Sequence, residues 1–338
     1  MKEKREYWQS VRGICILAVV LIHSLGGLDY STGYNVEFVF LRQVINFAVA
    51  TFVFMAGYFV NIDALSDKEF SYKHWIIYRG GRLCIPFIIW SILYSGLELI
   101  RTVHSGNEIN WFGFAFRFIV GKSATPFYYI VVLMQLTVLT PWLVKIVKQN
   151  GIVSRILWLV TLVYLLYLYT WNYIVGTSPR LYETLFPAWF GFYYLGIQVR
   201  CGWKLKGNGY AVAATLLLSY VEAVGLRASG FDIGFYTSQI TVGSFLYSVA
   251  MIGWFLKKSE NSRGGCCLLS KIGDCSYGIF YIHMAVLMLV GRIIKCGNWY
   301  AYWILRFVLT AAFSYIIVYI GQMVLKNHKK LLRYIGFV

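Results

Sequence analysis

Charge is scarce in this sequence, and acidic charge most of all. Over 338 residues, 14 Asp and Glu stand against 31 Lys and Arg, and charged residues of both kinds make up 13%. A soluble domain carries roughly a quarter of its residues as charges, so a molecule wholly bathed in water is excluded. Seven cysteines are scattered with neither framework nor metal-ligand spacing, which argues against a disulfide scaffold or a zinc site; they read as small apolar residues. The alternation of apolar and polar positions that marks a membrane β-barrel is missing. So is any internal repeat strong enough to suggest a transporter built from inverted halves.

What is there instead is apolar: 59% of residues are hydrophobic and 19% aromatic. The hydrophobic residues fall into continuous runs of about 20, the length an α-helix needs to cross a bilayer. The reading is an all-α, polytopic membrane protein forming one domain over 1–338. Ten spans are expected, near 11–29, 43–61, 83–101, 127–146, 153–172, 183–199, 209–226, 236–256, 275–294 and 299–325. The aromatic stretch from Trp111 to Val120 is too short to cross and reads as an interfacial or re-entrant segment. With the N-terminus inside, the inner segments hold 21 Lys and Arg and the outer loops hold 8. That asymmetry predicts both termini in the cytoplasm, and it accounts for the net charge of +17 without nucleic acid. The first run follows a basic tail but lacks a small-residue cleavage site, so it reads as a retained span.

Two residues interrupt that first run. Arg12 and His23 are eleven apart, and eleven steps of 100° bring a helix to about 20° past three full turns, so both lie on one face. A cation or a titratable group inside a bilayer costs a few kcal/mol and is a functional hypothesis by default. His23 is expected about 16 Å beyond Arg12 at the rise of an α-helix, near mid-membrane or slightly past it. Of the five histidines only His23 and His283 fall in spans; counted from Asp274, His283 reaches a similar depth. Packing between helices is the bland alternative for each histidine, and snorkelling is the bland alternative for Arg12. Arg79-Gly80-Gly81-Arg82, at the end of the second inner loop, places two guanidinium groups three residues apart, a spacing that suits phosphates. Basic residues at the inner start of a span are also expected from topology alone.

Taken in order, these segments resemble the acyltransferase 3 family of bacterial integral-membrane acyltransferases. Arg12 to His23 is similar to its Arg-ten-residues-His signature. Phe47 to Tyr58 is similar to its second-span aromatic run ending in a small residue, glycine and tyrosine. Arg79 to Arg82, with Pro86 and Trp90, is similar to its Arg-two-residues-Arg and proline motif, and Ser276-Tyr277 to His283 to its late Ser-Tyr…His motif. Two departures stand out. Phe127-Tyr128-Tyr129-Ile130 replaces a Trp-Phe-Leu run, and Ser314-Tyr315 lacks the Glu-x-Pro that follows in members fused to secreted domains, which implies a stand-alone member.

The resemblance implies transfer of an acyl group, usually acetyl, from acetyl-CoA to a hydroxyl of a cell-surface or lipid-linked glycan in the bacterial cell membrane, with no metal. On that reading Arg79, Arg82 and Arg12 hold the anionic donor at the cytoplasmic face. His23 serves as general base or carries the acyl group itself, and His283 or Tyr277 stabilises the oxyanion. Tyr34, Asn35, Trp111 and Tyr128 are expected to face the sugar from outside, although interfacial aromatic belts give the same pattern. Glu98, Glu183 and Glu222 lie in or near spans and are candidates either to orient a histidine or simply to meet water at a span end. Two other readings share the architecture: a glycan or lipid exporter, and a succinyl-type acyltransferase.

Overall fold

A computed structural model describes residues 2–25, 36–65, 67, 69–262, 264–294 and 297–337. Among them every regular element is helical. In chain order these are α1 (Lys2–Ser24), α2 (Val36–Ile45), α3 (Phe47–Tyr58), α4 (Ile62–Leu65), α5 (Tyr72–His104), α6 (Trp111–Ile119), α7 (Tyr128–Gln149), α8 (Ile152–Ile156), α9 (Leu159–Val175), α10 (Pro187–Arg200), α11 (Gly209–Ala228), α12 (Ile233–Tyr236), α13 (Val242–Glu260), α14 (Cys267–Asp274), α15 (Ser276–Ile293), α16 (Trp299–Val324) and α17 (Lys329–Tyr334). A 3₁₀ turn, Thr125–Phe127, leads into α7.

The chain is a polytopic helical membrane protein. Eight segments among the described residues are long and apolar enough to cross a bilayer: α1, α2 with α3, α5, α7 with its leading turn, α8 with α9, α11, α15 and α16. The two other expected spans exist as helices of a different character. α10 has 14 residues, and Ala188 through Ile197 are all buried. Enclosed by protein on every side, it has no lipid face to match to a bilayer. α13 has 19 residues, but three serines and the pair Lys257 and Lys258 dilute its apolar character.

Helix bounds depart from the apolar runs where a helix continues past them. α1 begins nine residues before its run and ends at Ser24, so His23 sits in the last turn of the helix rather than at its middle. α5 begins at Tyr72, where the Ser71 hydroxyl caps the His74 amide. Arg79 and Arg82 therefore stand on a helix and not in a loop. Residues 26–35, which include Tyr34 and Asn35, lie outside the described residues.

Close backbone contacts set the helices around α1. α14 lies along the first half of α1, and a Cβ at Gly13 would strike the Leu269 carbonyl while one at Gly273 would strike that of Gln9. α3 and α10 cross in the same manner: a Cβ at Gly57 would strike the Tyr193 carbonyl, and one at Gly196 that of Phe54. Small residues are what allow membrane helices to approach so closely.

Candidate active site

The predicted face of α1 lines a cavity. Arg12, Ile16, Val19 and His23 follow one another at helical spacing along its wall, and the cavity encloses about 400 Å³. The opposite wall comes from three helices: Phe52, Met55 and Ala56 of α3; Tyr128, Tyr129 and Leu133 of α7; and Ser276, Tyr277 and Phe280 of α15. Trp75, Arg79 and Arg82 of α5 complete the lining, and the Arg82 carbonyl meets Tyr277 at the start of α15, six residues before His283. Segments far apart in the chain thus meet at one space, with arginines at one end and His23 at the other.

The arginine end is held by aromatic and polar neighbours rather than by carboxylates. The Arg79 guanidinium lies 4.9 Å from the centre of the Trp75 ring, that of Arg82 4.5 Å from Tyr78, and that of Arg12 5.8 Å from Phe59. Arg82 donates Nη2–H to the Tyr78 hydroxyl at 2.6 Å, and Tyr277 donates to the Arg82 carbonyl at 3.2 Å. Arg12 Nη1 reaches Gln9 Oε1 at 3.4 Å, and Gln9 in turn donates to Asp274 at 2.7 Å. Among the described residues none of the three arginines has a carboxylate within 4.0 Å. Asp274, one residue further out beyond Gln9, is the carboxylate whose charge reaches Arg12; three cations without a directly paired carboxylate suit an anion.

At the other end the two span histidines meet. The rings of His23 and His283 are 5.3 Å apart, tilted by 41°. His283 is fully buried, and its Nδ1 lies 2.9 Å from the Ile279 carbonyl oxygen. A carbonyl only accepts, so a hydrogen bond there requires the proton on Nδ1, an assignment that in a neutral ring leaves the lone pair on Nε2. That Nε2 is buried and has no partner among the described residues. The last turn of α1 is fixed from α16, where Arg306 donates Nη1–H to the Ser24 carbonyl at 3.2 Å. A cation suits the partial negative charge of a helix C-terminus.

The model of an acyltransferase domain family matches residues 5–321. The chain belongs to the acyltransferase 3 family. It is a membrane acyltransferase, and each of the four motif segments that carried the resemblance contributes wall to the same cavity. Neither a curated protein nor a solved structure matches the chain.

The remaining candidates in this acyltransferase divide. Tyr128 lines the cavity and stacks on Trp189, with ring centres 6.0 Å apart. Trp111 does not line it; it stands on α6, 65% exposed, on the apolar face of a short amphipathic helix. None of the three glutamates is bonded to a histidine. Glu98 pairs with Arg117 at 3.0 Å, Glu183 accepts from the Tyr182 hydroxyl at 3.2 Å, and Glu222 accepts from Tyr169 and from the Gly243 amide. Trp75 and Tyr193 also line the cavity. Sequence reasoning passed over both, Tyr193 because α10 reads as one more apolar run. The one available signal for Trp75 was its position four residues before Arg79, one turn of the same helix.

Proposed function

We propose that this acyltransferase takes an acetyl group from cytoplasmic acetyl-CoA and transfers it to a hydroxyl of a cell-surface or lipid-linked glycan on the other side of the bacterial cell membrane. The observation that carries the reading is the single cavity joining Arg12, Arg79 and Arg82 to His23. The positive-inside asymmetry assigns the arginine end to the cytoplasm, where the polyanionic donor is found. The cavity would then take the uncharged pantetheine arm, whose thioester reaches the far end.

His23 acts there as general base. It accepts the proton of the acceptor hydroxyl as the oxygen attacks the thioester carbonyl; the C–O bond forms, the C–S bond breaks, and the proton returns from the imidazole to the departing thiolate. An acyl-histidine intermediate fits the same position, with the imidazole nitrogen attacking first and the hydroxyl second. His283 orients the His23 ring and offers its Nε2 lone pair to an imidazolium formed beside it. Holding base and thioester in one enclosed space supplies proximity as well as proton transfer.

The test is mass spectrometry of cell-surface glycans from cells carrying the wild-type protein, the His23→Ala variant or neither. The expected result is acetyl ester in the first alone, with the variant present in the membrane at the wild-type level. Acetyl ester persisting in the variant would remove His23 from the reaction.

A further inference from the structure

Between Arg12 and His23 the cavity passes a stretch with no formal charge. On the α1 side this stretch is Ile16 and Val19; Phe52, Tyr129 and Phe280 line the same cavity from the other helices, with Tyr129 near enough to Arg12 for the two groups to interact electrostatically. The three rings touch in sequence, Phe52 to Tyr129 at 6.3 Å and Tyr129 to Phe280 at 5.6 Å between centres, and Phe280 reaches on to His283 at 6.4 Å. Three helices thus place an aromatic arc opposite a two-residue aliphatic stripe, immediately before the histidine pair. The ionisable groups lining the cavity, tyrosines apart, are the three arginines at one end and His23 at the other. Arg42, whose charge reaches His23, does not line the cavity and gives its Nε–H to the Thr237 carbonyl at 3.2 Å.

We propose that Phe52, Tyr129 and Phe280, with Ile16 and Val19, form a collar that selects the acyl group by charge, admitting neutral acyl thioesters and rejecting those that end in a carboxylate. The inference rests on the acyl-CoA reading above and adds which donors that site accepts. The donor's own phosphates stay at the arginine end, so only the acyl group and the neutral arm must pass. A neutral acyl chain crosses the collar with its apolar surface against rings and methyl groups. A terminal carboxylate would have to leave water and come to rest beyond the collar without a lining cation to pair with, a penalty that corresponds to about 100-fold in rate. Selection by buried charge is also sharper than selection by one or two methylenes, which hydrophobic pockets discriminate weakly.

The experiment compares butyryl-CoA with succinyl-CoA, two four-carbon donors that differ in the terminal carboxylate, with acetyl-CoA as reference. Wild-type protein is reconstituted in vesicles together with the lipid and glycan extract of its native membrane, which supplies the acceptor hydroxyl, and CoA release is followed. The expected result is kcat/KM for succinyl-CoA about 100-fold below that for butyryl-CoA. Phe52→Gln, and the isosteric Val19→Thr as the gentler change, are expected to narrow the ratio about tenfold or more by giving the carboxylate a hydrogen-bond donor. A ratio taken within one preparation does not depend on the fraction folded. Succinyl-CoA used within threefold of butyryl-CoA by the wild type would overturn the collar while leaving the acyl-CoA reading intact. A low ratio unchanged in both variants would move the selection elsewhere. Release of no CoA from any of the three donors would overturn the reading and the collar together.

Discussion

Arg12 and His23 were legible because an α-helix has a fixed period. Eleven residues return a helix to the same face, and the structure puts both side chains on one cavity wall. The pairing of His23 with His283 was half legible: two histidines at similar depth can be counted, but a ring separation of 5.3 Å depends on how α1 and α15 pack. Tyr193 and Trp75 were not legible, since nothing in an apolar run tells which of its aromatics faces a cavity. Two predictions belong at this scale. Replacing Arg79 and Arg82 together with glutamine should raise KM for acetyl-CoA at least about tenfold with a smaller change in kcat, and should flatten the salt dependence of KM, because screening then has less charge to act on. An unchanged KM and salt profile would return the pair to a topological role. His283→Ala should lower kcat about 10- to 100-fold and leave KM for acetyl-CoA within about threefold, since its ring touches His23 and lies away from the arginines; a loss confined to KM would contradict the assignment.

Elements were read well in kind and less well in extent. Apolar runs mark the part of a helix that lipid or protein surrounds, whereas the helix itself continues while its backbone is capped. That is why α5 starts eleven residues ahead of its run, at the Ser71 cap, and carries Arg79 and Arg82 on its first turns. The second-span motif also acquires a physical reason: Gly57 is the place where α3 meets α10 backbone to backbone. Gly57→Val should force the two helices apart at a cost of about 1–3 kcal/mol or more. The expected outcome is a lower thermal unfolding midpoint of the purified protein, together with loss of activity, since Phe52, Met55 and Ala56 ride on the same helix. An unshifted midpoint would show that the crossing yields without cost.

At the scale of the whole molecule, composition together with continuous apolar runs indicated a helical membrane protein, and eight of the ten expected spans satisfy length and hydropathy among the described residues. The other two show where one-dimensional reasoning stops. α10 is apolar because protein surrounds it, and a sequence cannot distinguish burial in protein from burial in lipid. The orientation is open to direct test through the free thiols. Cys201, Cys266 and Cys267 are exposed and belong to segments that the Lys and Arg asymmetry places inside. A membrane-impermeant maleimide should label them in inverted vesicles and leave them unlabelled in intact cells, as mass spectrometry of the peptides reads out; labelling of all three from outside would reverse the molecule and with it the donor side.

In the proposed reaction His23 meets a thioester at the end of a passage that begins with arginines. Release of CoA from acetyl-CoA by purified protein reconstituted in vesicles with the lipid and glycan extract of its native membrane as acceptor, compared between wild type and His23→Ala at matched folded amounts, tests this most directly. The prediction is turnover in the wild type and a loss of at least about 100-fold in kcat in the variant. Equal turnover in the two proteins would contradict it.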